Sequence, residues 1–437
     1  MKHIRFYTLA LALITSCWAQ AQTLSDFISM GLENNYNLKI TRNEEAIRQN
    51  NATAANAGYL PVVNATVGYN GAYGGSQSQR RSDGSTVSTG SSLDNGLQVG
   101  VNAEWTVFDG FKIQATYSKL QELKRQGAVR TRIDIEDYVA SVTSEYYNLI
   151  QQKIRMKNLR NAVKLSKERL RIVVERYSIG SASRLDLQQA QVDFNADSAQ
   201  SLKQHELMAT SRIRLYDLMA VKDMQTPLAL QDSTIEVDVS LSHDTLLEAT
   251  MLLNAQLLNS KHDIKLAELD YKATMSRDYP YIKLNAGYNY QHTSYGAGDN
   301  QSRSTWGADF GVKMGYKLFD GNRTRERRNA QLNIENADLA RLQLEQTLKA
   351  DLADLWQAYK NNLRLLSLER ENLITAQENH YIAHERYMLG DLSGIEMREA
   401  QQSLLDAEER ILVAQYNTKL CEISLHLISG GIMTYMK

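Results

Sequence analysis

Two hydrophobic periods share this chain. Over residues 97–108, LQVGVNAEWTVF, Leu97, Val99, Val101, Ala103, Trp105 and Val107 alternate with Gln98, Gly100, Asn102, Glu104 and Thr106. Residues 306–319, WGADFGVKMGYKLF, alternate in the same way from Trp306 to Leu318, and 282–290, IKLNAGYNY, repeat the pattern. A period of two held over about ten residues predicts strands with one apolar face, long enough to cross a bilayer when tilted. Tyr69, Tyr73, Trp105, Tyr288, Tyr290, Trp306 and Tyr316 are candidates for interfacial girdles. The other period is helical. Residues 111–178 and 322–388 hold no proline, and each would extend roughly 100 Å as one helix. Leu159, Val163, Leu170, Val174 and Tyr177 form a thin stripe among Arg, Lys, Glu, Gln and Asn. A thin stripe predicts coiled-coil contact with neighbours and water elsewhere. A soluble sandwich with one wet face shows the same strand alternation, but it has no use for helices of this length.

The pattern is written twice. The phrase ERYSIGSASRLDLQQAQ (175–191) returns as ERYMLGDLSGIEMREAQ (385–401), so that Arg176, Tyr177, Gly180 and Ser183 have identical partners 210 residues on. FDG at 108–110 returns at 319–321, an offset of 211, and Pro61, Gly68 and Tyr69 return as Pro280, Gly287 and Tyr288, an offset of 219. Most of the difference falls between the strands, where the first half carries the longer loop, GGSQSQRRSDGSTVSTGSSLDN, and the second QHTSYGAGDNQSR. Insertions collect in exposed loops, which places both on an outer surface. Each half begins with a helix (about 24–57 and 245–276) ended near a proline, which disfavours helix at the residue before it. The expected order is a signal segment (1–21), a first repeat (22–220), a linker (221–242), a second repeat (243–428) and a tail (429–437).

Composition narrows the setting. Lys2 and Arg5 precede an apolar run over 6–14, followed by AQA at 19–21, which reads as a secretory signal cut after Ala21. The rival is a cut before Cys17, where ITSC resembles a lipoprotein box and the cysteine would carry lipid. With Cys17 removed or lipidated, Cys421 is the one thiol left, so no internal disulfide forms. The formal net charge of −1 gives no case for nucleic acid, and the RTRERR run at 323–328 reads as a solvated helix start. After the signal no apolar run approaches the ~20 residues of a membrane helix. His380 and His384 stand four apart without HExxH or a third ligand and read as exposed helix histidines rather than a metal site. No nucleophile triad or phosphate loop is present, so neither an enzyme nor a cofactor is expected.

Four strands cannot close a membrane barrel, since closure starts at about eight. Open edges in lipid cost several kcal/mol per unpaired group. Other copies of the chain must complete the sheet, with cyclic symmetry. Three copies give twelve strands; two would close with almost no lumen.

A signal segment, a duplicated strand–strand–long-helix unit, FDG after the second strand and RYxxGxxSxx(D/E) at the hairpin turn together resemble the TolC-like outer-membrane factor family, over essentially the whole mature chain. The resemblance implies an α+β membrane protein: a homotrimer with a twelve-stranded β-barrel in outer-membrane lipid, continued by a periplasmic helical tunnel. It also implies that the hairpin turns, with Ile179, Gly180, Ser181, Leu389, Gly390, Asp391 and Leu392, close the tunnel mouth. There they would meet the periplasmic adaptor protein of an inner-membrane transporter. Glu396 and Glu399, with Asp186 in the other half, would line the narrowest ring; Gln189 holds the place of Glu399 in the first half. Tyr177 and Tyr387 would bond across turns. Leu392 stands where that family has an arginine, so its usual latch is not reproduced.

On their own, acids near a helix start oppose the macrodipole, worth about 0.3–1 kcal/mol each. In a threefold ring, Glu396 and Glu399 would gather six carboxylates, raising some pKa values and favouring cations. The expected function is a passive duct for a tripartite efflux pump or type I secretion system, with a stand-alone diffusion porin or a soluble coiled-coil scaffold as alternatives.

Overall fold

The computed structural model describes residues 23–224, 228, 230–297 and 301–436. The signal segment and Cys17 lie outside the described residues. Four helices dominate: α4 (Lys112–Ser178) and α8 (Arg323–Leu389), 67 residues each, and α5 (Arg184–Leu218) and α9 (Gly394–Ile428), 35 residues each. The chain divides into two compact units, one of residues 44–128 and 260–341, the other of the remaining described residues.

The first unit carries the sheet. Strands β1 (Val62–Gly74), β4 (Ser92–Asp109), β5 (Tyr281–Ser294) and β6 (Ser302–Gly315) pair antiparallel in the order β1-β4-β5-β6. The register aligns like with like: Val67↔Val99↔Tyr290↔Trp306 on one face and Thr66↔Gly100↔Asn289↔Gly307 on the other. The first face is therefore apolar along the body of the strands and left bare, with Val67, Tyr69, Val101, Tyr288, Phe310 and Val312 exposed, and turns polar at His292 and Ser304 toward one end. The other is an amide and glycine surface. Asn289 donates to Asn102 and Asp309, and Lys283 pairs with Glu104 at 2.7 Å. Its amides lie flat where the neighbouring strand has glycine: a Cβ on Gly100 would fall 1.9 Å from Asn289 Oδ1, and one on Gly287 2.3 Å from Asn102 Oδ1.

Two expectations change here. The long first loop is not all loop: β2 (Gln77–Arg80) and β3 (Thr86–Thr89) form a hairpin of their own. Polar Ser, Thr and Gln at those positions hid a pairing that backbone bonds alone support. Strand β6 also stops at Gly315, four residues short of Phe319, leaving Tyr316 and Leu318 outside it.

The expected helix over 24–57 is interrupted. α1 (Leu24–Asn34) ends at Asn35, α2 (Tyr36–Asn51) follows, and a last turn, α3 (Ala54–Ala57), stands before the corner. The second half repeats the break at Asn254, between α6 (His243–Leu253) and α7 (Ala255–Met275). Each asparagine holds the break open from both sides. Asn35 Oδ1 accepts from the Leu38 amide and its Nδ2 donates to the Leu218 carbonyl; Asn254 does the same with Leu257 and Ile428. A helix start and a helix end, both carrying unpaired backbone groups, are thus satisfied by one side chain.

The core repeats too. Phe27, Val142, Leu149 and Leu215 are buried in the first half, and Leu246, Leu352, Tyr359 and Leu425 occupy the corresponding positions of the second.

The helix stripe is rotated from the one expected. Leu159 is buried, but Val174 and Tyr177 are exposed, and the buried line on α4 is Met156, Leu159, Ala162, Ser166, Arg169 and Val173. Counting only large apolar residues misplaces this seam because it contains a small Ala, a Ser and an Arg. Arg169 tolerates burial by pairing with Asp193 at 2.5 Å. Leu170 and Val174 of the expected stripe, together with Leu165, instead line an open groove of about 750 Å³ on α4.

Candidate functional site: the two hairpin turns

The repeated phrase RYxxGxxSxx(D/E) spells out two consecutive backbone devices. At the end of α4, the Ser181 amide donates to the Arg176 carbonyl (2.8 Å) and the Gly180 amide to the Tyr177 carbonyl (3.0 Å). At the end of α8, Asp391 and Gly390 donate to Arg386 and Tyr387 at 2.9 and 3.1 Å. This is the Schellman closure, which needs a left-handed residue; Gly180 and Gly390 supply it at φ 78° and 84°. Three residues later the next helix starts with a capping box. Ser183 Oγ accepts from the Asp186 amide, while the Asp186 carboxylate accepts from the Ser183 amide and hydroxyl; Ser393 and Glu396 repeat the arrangement. One helix closes, the next opens, and the chain reverses in a handful of residues.

Asp186 and Glu396 are consequently already occupied as helix caps. Both are exposed, and the bonds from their serines hold both carboxyls below the usual carboxylate range. Glu399 is exposed and lines a groove of about 540 Å³ together with Gln189, Asp193, Arg398 and Arg410. Ile179 and Leu389 stand out at 79% and 84% exposure, with Ser181 and Asp391 also exposed. Leu392, grouped with them from the sequence, is different. It is half-buried and packs on a small cluster of Ala383, Tyr387, Met397 and Ala400 with Ile172 of α4. Asp391 is engaged by Arg386 of its own turn at 3.1 Å.

The two tyrosines are not equivalent. Tyr177 is exposed, whereas Tyr387 is only 4% exposed, and burial pushes its phenol above the ordinary value. Arg176 of the first turn reaches the second, donating to the Tyr387 carbonyl at 2.9 Å with its guanidinium 4.9 Å from the ring centroid. Further along, Arg398 of α9 forks onto Asp197 of α5 at 2.7 and 2.8 Å, and Arg155 of α4 pairs with Glu409 of α9. The two hairpins of one chain are thus tied by charge at three levels.

Sequence reasoning missed these ties because arginine–carboxylate pairs between distant helices leave no spacing rule. It also missed Ser183 and Ser393, although [ST]-x-x-[DE] before a helix was a readable cap signal. The histidines depart from expectation as well: His380 and His384 are half-buried, their rings 6.4 Å apart, and His380 Nε2 is buried without a partner. Among the described residues, no group of three His, Cys, Asp or Glu could hold a metal ion, and no helix is long and apolar enough to cross a membrane.

The combination of a one-face-apolar sheet and twin capped hairpins agrees with comparison to known proteins. The family model described as outer membrane efflux protein matches residues 27–221 and again 246–431. The chain belongs to the outer membrane efflux protein family. It is 22% identical over 442 residues to the outer membrane protein TolC of Vibrio cholerae, spanning 98% of this chain and 94% of that one. The toluene efflux pump outer membrane protein TtgC of Pseudomonas putida is 23% identical over 425 residues, 93% of this chain and 83% of that protein. In fold, the chain resembles the crystal structure of the Campylobacter jejuni CmeC outer membrane channel with a TM-score of 0.76 at 16% identity, covering 93% of this chain and 85% of that one.

Proposed function

We propose that this outer-membrane efflux channel works as a homotrimer, in which three four-stranded sheets close a twelve-stranded barrel in lipid and the helical hairpins form a tunnel in the periplasm. The observation that carries the reading is the sheet: one face apolar along the body of its strands and bare, the other amide-lined, and β1 and β6 both at its edges. Such a sheet is stable in lipid only when its edges are paired, and its polar face then lines a water-filled bore. The uncovered stripe Leu165, Leu170 and Val174 gives the helices a second face for neighbouring copies.

In this reading the hairpin turns surround the tunnel mouth. Ile179 and Leu389 offer apolar contacts to a periplasmic adaptor, which couples the duct to an inner-membrane transporter. Glu396, Glu399 and Asp186 form its acidic ring, and Asp186 and Glu396 remain anionic because their serines stabilise the charged form. The chain performs no chemistry; the transporter supplies the energy. Arg176 on Tyr387 and Arg398 on Asp197 keep the two hairpins of each copy together, taking the place of a latch from Tyr177 and Tyr387 alone.

Reconstitution in planar bilayers tests the reading. A gated duct shows low conductance that rises in the Arg176→Ala variant, whereas a diffusion porin shows high conductance in the parent and no change in the variant.

A further inference from the structure

A groove of about 870 Å³ is bounded by α4, α5 and the linker that joins the two repeats, with Gln415 of α9 at its side. Its floor is aliphatic. Leu149, Met156 and Ile235 are buried, and Ile154, Met208 and Leu230 lie half-buried against the first-repeat core. Its walls are cationic. Lys153, Lys157 and Arg160, spaced by four and three, share one face of α4, and His205 and Arg212, seven apart, share one face of α5. Among the described residues, no Asp or Glu and no Phe, Tyr or Trp lines the groove.

These cations have no partner inside the chain. Arg155 and Arg169, on other faces of α4, are paired with Glu409 and Asp193. Lys153, Lys157, Arg160 and Arg212 make no ion pair or hydrogen bond among the described residues, and Arg212 Nε is buried without an acceptor. Glu408 of α9 lies within electrostatic reach of Lys157, but burial pushes its carboxyl up and weakens it as a counter-ion. The fold does not require such a lining. α4 and α5 recur as α8 and α9 at an offset of 210, where Leu363, Ser367 and Glu422 take the places of Lys153, Lys157 and Arg212. There Tyr359, 1% exposed, stands in the place of Leu149, and Glu422 is engaged by Lys419 and Tyr435. The second repeat packs and neutralises the position that the first leaves open and basic.

We propose that this groove binds a single-chain anionic amphiphile. The acyl chain lies on the aliphatic floor, where Met156 and Met208 adapt to its bends, and Lys153, Lys157 and Arg212 hold the carboxylate or phosphate head through charge-assisted hydrogen bonds. The lysine stems extend the apolar wall while their ammonium groups reach the head. The volume is that of an ordinary small-molecule site. Two other anions fit less well. A planar aromatic acid finds no ring to stack on, and an extended acidic peptide finds no free backbone groups on two helices whose amides are already bonded. The groove is distinct from the acidic turns, which carry the opposite charge at the far end of the same hairpin.

Photo-crosslinking of the full chain in a non-ionic detergent tests the site. The probes are palmitate with a diazirine in its chain, the same chain as a lysophosphatidylglycerol, and the same chain as a neutral alcohol. One or both anionic probes should mark peptides from 149–161, 205–212 or 228–235. The neutral alcohol should mark them about tenfold less, the size of one lost charge-assisted hydrogen bond. The stronger anionic probe identifies the head as carboxylate or phosphate. Lys153→Gln with Lys157→Gln should lower the labelling by a similar factor, and Arg212→Gln should lower it further. Lys164→Gln with Lys167→Gln, in the adjoining groove of α4, should leave it unchanged. Parental particle size in each variant separates loss of the site from loss of the fold, and the two exposed lysines test the site even where Arg212→Gln does not fold. Labelling confined to the strands, equal labelling by the alcohol, or labelling indifferent to Lys153 and Lys157 overturns the assignment. So does the absence of labelling, the result expected where a neighbouring copy covers the groove.

Discussion

Replacing Arg398 with alanine takes the guanidinium fork off a carboxylate that has little access to water. Asp197 is 3% exposed, and both its oxygens are bonded by Arg398, whose own side chain is only one-fifth exposed. Breaking a buried pair from one side leaves a charge desolvated without its partner, which costs about 3–5 kcal/mol. The same mutation at Arg171 of α4, which pairs with Glu168 and Glu175 on an open face, costs little because water and salt screen those pairs. The contrast is the useful quantity. Chemical unfolding followed by the helical signal should show a drop in midpoint for Arg398→Ala several times that for Arg171→Ala. The double variant Asp197→Leu with Arg398→Met removes the pair rather than half of it and should recover most of the loss. Since the pair bridges α5 and α9, the single variant should also loosen one hairpin from the other and raise the fraction of open channels. If Arg398→Ala unfolds with the parent, or the double variant is no better than the single, burial is not what gives this pair its weight.

The helix caps set an acid limit. Asp186 and Glu396 have lowered pKa values in the fold, so their contribution is complete above the unfolded carboxylate range near pH 4 and fades as pH falls through the lower folded values. Protease cleavage at the turns should therefore rise below about pH 4, and Ser183→Ala with Ser393→Ala should cost about 1 kcal/mol each and blunt that pH dependence. Asn35→Ala and Asn254→Ala each strand a carbonyl and an amide at a helix break. Both should destabilise by about 1–3 kcal/mol, in near-equal measure by chemical unfolding. Glu396→Gln with Glu399→Gln should reduce cation preference and divalent block in single-channel recordings; unchanged selectivity would remove these residues from the ring.

Elements with a strong period were plain in the sequence. The four strands of the sheet, apart from the far end of β6, the two 67-residue helices and both left-handed glycines stand where alternation, absence of proline and the twin phrase put them. What was hidden depended on contacts across the fold. The breaks at Asn35 and Asn254 look like ordinary helix until the Leu218 and Ile428 carbonyls arrive beside them. The α4 seam ran through Ser166 and Arg169, which no hydrophobic count selects, because Asp193 neutralises the arginine only in the folded state. At the turns, the glycines and acids are visible, but the sequence alone does not separate Asp186 and Glu396 as ring residues from the caps that their bonds to Ser183 and Ser393 make them. The tie from Arg176 to Tyr387 joins residues more than 200 apart in sequence, and only packing reveals it.

The mass of the mature protein after extraction in mild detergent, with bound detergent subtracted, tests the central claim most directly. Three chains per particle, insoluble once detergent is withdrawn, is the predicted result. A monodisperse single chain that stays in solution without any amphiphile would contradict it.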